Sequence, residues 1–257
     1  MLLRRITQHV KDQNWFAVGL DFLIVVFGVF IGLQVANWSA ARADRADERT
    51  FLNALHQDIV EAEQISRRIL NIRITAFNDL ESAVDILFER TAWRDLSNAE
   101  CTAIGNAHIA GVIWTDLPSL SGLRDAGRTG ILRDEVLLQN LATLMQRQEA
   151  MGKIIEAVQI TTVDLPRVHP DLFEITPVIV PLGAASGLTQ YDTVFVCDGK
   201  KLQQSRSAMN IVAVNIEAYD AVVNLVGIKP WVQQTSVVHE QLDESLGITH
   251  VTEETIP

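Results

Sequence analysis

Hydrophobic residues are spread unevenly along this chain, and their densest run lies near its beginning. Residues 22–41 contain no charged side chain, and 20 uncharged residues are about the minimum for a helix that crosses a hydrocarbon core of ~30 Å. Trp15 and Trp38 flank the run, and an α-helix would hold them ~34 Å apart at ~1.5 Å per residue. This spacing suits one indole at each lipid–water interface. The pattern therefore predicts a transmembrane helix over residues 15–41, with both tryptophans as interface anchors.

A buried core helix and a cleaved signal peptide are the alternatives for this run. Core helices are usually shorter and carry a polar face, whereas the apolar region of a signal peptide spans ~7–15 residues. The small residues 39–41 could precede a cleavage site. Gln34, Asn37 and Trp38, however, suit a membrane interface better than a cleavage region. We therefore interpret the run as a membrane span.

Five positions inside the predicted span are candidates for packing against a neighbouring helix. Gly28 and Gly32 form a G-x-x-x-G pattern, which permits close approach of two helices. Gln34 and Asn37 could bond across helices or meet headgroup water. Asp21 lies either inside the bilayer, where an ionisable group suggests a functional site, or at the cytoplasmic boundary.

After the span, the apolar residues recur at three- and four-residue steps. This spacing continues from Arg42 to about Thr91, and no glycine or proline occurs between Gly32 and Gly105. The pattern predicts a long, coiled-coil-like amphipathic helix that continues the span. Its apolar stripe needs a partner, either later helices of the same chain or another subunit.

The following residues predict further helices. Ser97 and Glu100 have the S-x-x-E form of a capping box, which predicts a helix from there to about Trp114. A longer helix is predicted from about Arg133 to Thr162, because apolar residues again recur at helical spacing.

Residues 166–198 have a different texture, rich in proline and in β-favouring side chains. The strings ITPVIVPL and YDTVFV predict two short strands within a loop. Helical spacing returns from about Lys200 to Leu246, and Pro230 is predicted to kink or split that helix.

The predicted fold class is mainly α. One transmembrane helix continues into a long amphipathic helix, and an extramembrane helical bundle carries a small irregular or β insertion. The predicted segments are a cytoplasmic amphipathic segment (1–14), the span (15–41), an extracytoplasmic helical domain (42–247, with the insertion at 166–198) and a polar tail (248–257).

Charge bears on the partners and on the orientation of the chain. The net charge is −11, and residues 42–257 alone carry 30 acidic and 18 basic residues. A nucleic-acid partner is excluded, because a polyanion binds to a clustered basic surface, whereas residues 42–257 are net acidic. The short basic start with Arg4, Arg5 and Lys11 predicts a cytoplasmic N-terminus in a bacterial inner membrane, with the main domain in the periplasm.

Two strings carry a resemblance to known proteins. Residues 21–38, DFLIVVFGVFIGLQVANW, and more loosely residues 123–145, LRDAGRTGILRDEVLLQNLATLM, resemble uncharacterised single-span membrane proteins of proteobacteria. The resemblance implies a membrane anchor and a placement. It implies no activity, because those proteins have no established activity that could be transferred to this chain.

Cys101 and Cys197 are the two cysteines of the chain, and both follow the predicted span. In an oxidising compartment they could form a disulfide; the alternative is two buried free thiols. Neither lies in a C-x-x-C motif, so a redox-active pair is not indicated.

The histidines form no recognisable metal motif. None of the six belongs to an H-E-x-x-H pattern, and neither G-x-S-x-G nor S-x-x-K occurs. His56 with Asp58, and His239 with Asp243, are interpreted as ordinary surface spacings. The sequence predicts no catalytic residue, no cofactor and no metal ligand, although a metal site assembled from distant residues stays open.

Three functions are compatible with these patterns. The leading one is a non-enzymatic accessory or scaffold subunit of the inner membrane. It would contact the lipid bilayer and would bind another membrane protein, or a second copy of itself, through the span and the long helix. The runner-up is a periplasmic ligand sensor, which a pocket near Trp114 or beneath residues 166–198 would favour. An enzyme comes third, and a polar cleft joining His239 to acidic side chains would favour it.

Overall fold

The fold is given by a computed structural model that describes residues 15–109, 117–181 and 189–249. It is mainly helical, with one two-stranded sheet among these residues, which confirms the predicted fold class. The predictions for residues 1–14, for Trp114 and for most of the tail 248–257 lie outside the described residues.

Helix α1 (Trp15–Leu87) is a single helix of 73 residues, which confirms that the apolar segment and the amphipathic segment form one continuous helix. The chain supplies no proline here and no glycine after Gly32 that would weaken the helix. All side chains from Phe22 to Ala40 are exposed. Buried side chains begin at Leu52, so α1 enters the core only in its second half.

The other elements of the described residues follow in chain order. They are α2 (Asn98–Asn106), α3 (Pro118–Asp125), a 3₁₀ turn (Thr129–Ile131), α4 (Glu135–Thr161), α5 (Leu165–Val168), a second 3₁₀ turn (Pro170–Leu172), strands β1 (Phe173–Pro181) and β2 (Thr189–Cys197), α6 (Gly199–Gln204), α7 (Arg206–Asp220), a π turn (Ala221–Leu225) and α8 (Ile228–Leu246).

Helix α8 covers the apolar stripe of α1 and also packs against α4. The two helices α1 and α8 run antiparallel, because His56 lies opposite Asp243 whereas Ser66 lies opposite Trp231. The stripe therefore has its partner within the same chain, one of the two possibilities left by the sequence. The buried residues at this centre are Leu55, Ile59, Ala62, Leu137, Leu141, Leu144, Trp231, Val238 and Leu242.

Trp231 is the largest fully buried side chain among the described residues. Its indole N–H donates to Ser66 Oγ at 3.2 Å, and that hydroxyl donates to the carbonyl of Ala62 at 2.6 Å. A buried tryptophan contributes much apolar area but needs a partner for its N–H. The small Ser66 on α1 supplies that partner.

The two predicted strands form an antiparallel hairpin whose register runs from Phe173 opposite Cys197 to Pro181 opposite Thr189. Helix α2 lies under β2 in close contact. A Cβ at Gly105 would come within 2.8 Å of the Phe195 ring, so glycine allows this approach.

Two predicted boundaries differ from the structure. Helix α2 ends at Asn106 rather than near Trp114, and glycine and asparagine at its end are weak helix formers. The break that was assigned to Pro230 occurs at Gly227, where a Cβ would lie 2.0 Å from the carbonyl oxygen of Val222. Pro230 itself lies in the first turn of α8, where proline is tolerated.

Candidate functional site

The apolar part of α1 presents two different faces. A Cβ added at Gly28 or Gly32 would meet no atom within 4 Å, so this face is open. At ~100° per residue, position 21 falls on the same face as the two glycines, whereas Gln34 and Asn37 point away from it. The predicted packing residues therefore do not form one surface. The side chain of Asp21 lies outside the described part of the chain.

Trp38 is exposed, and the guanidinium carbon of Arg42 lies 5.7 Å from its ring centroid. An indole beside a cation suits the border between lipid and water. The side chain of Trp15, the other predicted anchor, lies outside the described residues.

The predicted disulfide is present, and the alternative of two free thiols is wrong. Cys101 on α2 and Cys197 at the end of β2 are bonded, with their Cα atoms 5.5 Å apart and a sequence separation of 96. The bond fastens the hairpin to the helical bundle.

A polar cluster crosses the interface between α1 and α8. We call it the histidine cluster, and it consists of His56, Glu63, Arg67, Ser236, His239 and Asp243. Glu63 lies seven positions after His56, and Arg67 lies four positions after Glu63. The three α8 residues follow one another at steps of three and four, so each set shares one helix face.

Glu63 is the acceptor at one end of the cluster. Its Oε2 lies 2.6 Å from His239 Nδ1, and its Oε1 accepts from Ser236 Oγ at 2.6 Å. Arg67 donates to the same Oε1 from two nitrogens, at 2.6 and 2.9 Å. Burial alone would raise the pKa of the Glu63 carboxyl. The hydrogen bonds that it accepts, first from Ser236 and then from Arg67 and His239, outweigh burial and hold this pKa below its usual value.

Asp243 lies between two imidazoles at the other end of the cluster. Its Oδ1 is 2.9 Å from His56 Nε2, and its Oδ2 is 3.7 Å from His239 Nε2. The three side chains are only 12%, 19% and 20% exposed for His56, His239 and Asp243. One ligand atom from each of the three lies within 4.8 Å of the others.

The interpretation of these histidines as surface residues was therefore wrong. His56 pairs with Asp243 rather than with Asp58, whose carboxylate accepts from the backbone N–H of Ser119 at 2.8 Å. Sequence patterns do not reveal the cluster, because His56 and Asp243 lie 187 positions apart in the chain. The available signal was the placement of His56 and His239 beside the apolar stripes of two amphipathic helices.

The cluster can exchange protons or hold a cation, since it combines two imidazoles with two carboxylates. It does not have the order of an acyl-transfer triad, because Ser236 Oγ donates to Glu63 and not to an imidazole nitrogen. His239 converges with the acidic side chains of Glu63 and Asp243, which is one part of the feature expected of an enzyme, a polar cleft being the other.

A cavity of about 530 Å³ lies beneath the hairpin, between α1, α2 and β2. Ala76, Ala103 and Val194 contribute to its lining, and so does Tyr219 of α7. Tyr219 is buried, and its hydroxyl has no hydrogen-bond partner among the described residues. A buried hydroxyl is usually satisfied, so this cavity is a candidate ligand site.

Comparisons with protein families, with curated proteins and with solved structures find no match to this chain. The resemblance to single-span proteobacterial proteins therefore stays a prediction.

Proposed function

We propose that this protein is a single-pass membrane protein and a non-enzymatic accessory or scaffold subunit. In this role, α1 holds the helical bundle at a bilayer, and the apolar part of α1 binds another membrane protein or a second copy of the chain. The observation that carries the proposal is α1 itself. Its residues 22–40 are all exposed, whereas from Leu52 onward one side of the helix is buried in the bundle.

The exposed segment supports membrane insertion through its composition. An 18-residue window within Phe22–Leu87 has a mean hydropathy of 1.9, and none of it is buried. An apolar surface of this extent is unstable in water and calls for lipid or a protein partner. A second apolar window, within Arg206–Leu246, is 44% buried, which favours a role in the bundle core.

The disulfide supports a periplasmic position for the bundle. Disulfides persist in oxidising compartments and are rare in the cytosol. Cys101 and Cys197 both belong to the bundle, so the proposed arrangement has the bundle in the periplasm of a Gram-negative bacterium. The basic residues Arg4, Arg5 and Lys11 would then remain on the cytoplasmic side of the inner membrane.

Purification of the tagged full chain from its native membranes in mild detergent tests this function. We expect a second membrane protein to co-purify in a fixed ratio, or the chain to run as a defined homo-oligomer. Recovery of the free monomer alone would overturn the proposal.

A ligand sensor is the second candidate, and the cavity beneath the hairpin favours it. A small ligand in this cavity would contact α1 at Ala76, and an acceptor group on it would bond to the Tyr219 hydroxyl once a side-chain movement exposes that buried atom. Thermal shift across a metabolite panel, with Tyr219→Phe as the matched variant, tests it. A ligand should stabilise the native chain more than the variant. No shift with any ligand, or equal shifts in both, argues against sensing through this cavity.

A further inference from the structure

We propose that His56, His239 and Asp243 bind a transition-metal dication, with Zn²⁺ as the best fit, and that the metal fastens α8 to α1. This site does not depend on the proposed membrane role, since its residues all lie in the bundle. It joins residues that are 187 positions apart in the chain.

The distances between the candidate ligand atoms suit a metal ion. Two bonds of ~2.0–2.1 Å at a tetrahedral angle place their ligand atoms ~3.3 Å apart. Asp243 Oδ1 lies 2.9 Å from His56 Nε2, and the other oxygen, Oδ2, lies 3.7 Å from His239 Nε2, so the two distances fall on either side of that value. The two imidazole rings also converge, with centroids 5.2 Å apart and planes inclined by 59°. Metal binding would replace the His56–Asp243 hydrogen bond and would draw together three ligand atoms that already lie within 4.8 Å of one another.

Glu63 orients His239 in the way that a carboxylate orients a metal-binding histidine when it accepts a hydrogen bond from the other ring nitrogen. Arg67 can only donate hydrogen bonds, so the carboxylate of Glu63 is an acceptor, and His239 Nδ1–H donates to it at 2.6 Å. A neutral imidazole that donates from Nδ1 presents the lone pair of Nε2. The same Nε2 lies 3.7 Å from Asp243 Oδ2. A cation bound by both His239 Nε2 and Asp243 would complete a carboxylate–histidine–metal arrangement, which is found in many zinc sites.

The charge and the type of the donors select the class of metal. With neutral imidazoles, the two carboxylates and the single guanidinium give the histidine cluster a net charge of −1. A bound dication would reverse the sign of this charge. Two imidazole nitrogens and one carboxylate suit Zn²⁺ and neighbouring transition metals, whereas Mg²⁺ and Ca²⁺ prefer oxygen donors alone. Three protein ligands leave a fourth tetrahedral position for water or another ligand.

The position of the site gives it a structural consequence. His56 lies 15 residues beyond Ala41, which is ~22 Å along the helix at ~1.5 Å per residue. Asp243 lies one turn before the end of α8 at Leu246. A bound metal would therefore hold α8 to the part of the bundle nearest the apolar segment. It would lie next to a groove of about 720 Å³ lined by Leu52 and Glu244.

Calorimetric titration with ZnCl₂ tests the site in the full chain, reconstituted in nanodiscs and first stripped of metal with a chelator. We expect one saturable site per chain. His56→Asn and His239→Asn should each weaken binding at least ~10-fold, and Glu63→Gln should weaken it ~10–100-fold through loss of the orienting hydrogen bond. His108→Gln is the matched control and should bind as the native chain does, because His108 is also half-buried beside a carboxylate, that of Asp164, at 3.8 Å.

Absence of saturable binding to the native chain would overturn the proposal. So would affinity that both His56→Asn and His239→Asn leave unchanged, since the zinc would then bind elsewhere. Where either variant loses its helical circular dichroism, X-ray absorption of the zinc-loaded native chain decides instead. Scattering from two imidazoles supports the site, and scattering without imidazole contradicts it.

Discussion

Arg94 donates hydrogen bonds to both carboxylate oxygens of Glu100, from Nη1 to Oε2 at 2.8 Å and from Nη2 to Oε1 at 2.6 Å. The carboxylate also accepts from the backbone N–H of Ser97 at 2.8 Å and from Ser82 Oγ at 2.7 Å. The hydrogen bond from Arg94 is the largest influence on the Glu100 carboxyl and outweighs its burial. Together with the bonds from Ser97 and Ser82, it lowers the pKa to about 2. These bonds join α1, the following loop and the start of α2.

The depressed pKa of Glu100 predicts acid-sensitive stability. Because the folded-state pKa is about 2 and the unfolded value is 4.5, Glu100 stabilises the fold above pH 4.5 and loses that contribution as the pH falls toward 2. Glu100→Gln should cost ~1–3 kcal/mol at pH 7 by leaving Arg94 without its charged partner. The difference should shrink below pH 4.5, as measured by chemical denaturation in detergent.

Glu156→Gln is the control for this experiment, because Glu156 is exposed on α4. Its unfolding midpoint should follow that of the native chain at every pH. A constant difference between native and Glu100→Gln chains from pH 7 to pH 3 would show that the carboxylate does not carry the effect.

Removal of the Cys101–Cys197 disulfide should destabilise the bundle. The bond closes a loop of 96 residues, for which the chain-entropy model gives ~4–5 kcal/mol. Thermal unfolding of a Cys101→Ala, Cys197→Ala double variant should therefore have a much lower midpoint. A reductant should lower the midpoint of the native chain and leave that of the variant unchanged. Equal midpoints for both chains without reductant would contradict this prediction.

The continuity of α1 predicts a long, well-defined distance across the proposed membrane boundary. Spin labels at Ser39→Cys and Asn71→Cys, both exposed, are separated by 32 residues and should lie ~48 Å apart at ~1.5 Å per residue. Double electron–electron resonance on the doubly labelled chain in nanodiscs measures this distance. A control pair at Glu61 and Glu81, 20 residues apart, should give ~30 Å. A broad distribution centred well below the expected value for the first pair alone would show that α1 bends or breaks between span and bundle.

Association of the chain should depend on the glycine face of α1. Isoleucine side chains at Gly28→Ile and Gly32→Ile would prevent close helix approach, so the double variant should lose the complex that the proposed function predicts in mild detergent. Gly19→Ile is the matched control, because nine residues at ~100° place Gly19 ~180° from Gly28. Native electrophoresis should show the complex for Gly19→Ile and a smaller species for the double variant. An equal loss of the complex in Gly19→Ile and in the double variant would show that the Gly28–Gly32 face has no special role in association.

The sequence predicted the features that short-range patterns determine. The Ser97–Glu100 capping box was recognisable because both members lie three residues apart, and the structure has both of its hydrogen bonds. The uninterrupted α1 followed from periodicity and from the lack of glycine and proline. Arg94, the main partner of Glu100, lies outside the capping motif and was not predicted.

Long-range pairings could not be read in the same way. His56 meets Asp243 only because α8 folds back antiparallel along α1, and nothing near either residue specifies that pairing. Gly227 likewise ends one helical segment because its backbone approaches Val222 closely, while the more conspicuous Pro230 fits within a first turn. Tertiary packing decides both outcomes.

Membrane insertion of residues 15–41 is the property on which the proposed role depends most. Extraction of native membranes with alkaline carbonate, followed by detection of the full chain, measures it directly. Carbonate releases peripheral proteins and leaves bilayer-spanning proteins in the pellet. We predict that the chain stays in the pellet and is released only by detergent. Recovery of the intact chain in the carbonate supernatant would contradict the proposed function.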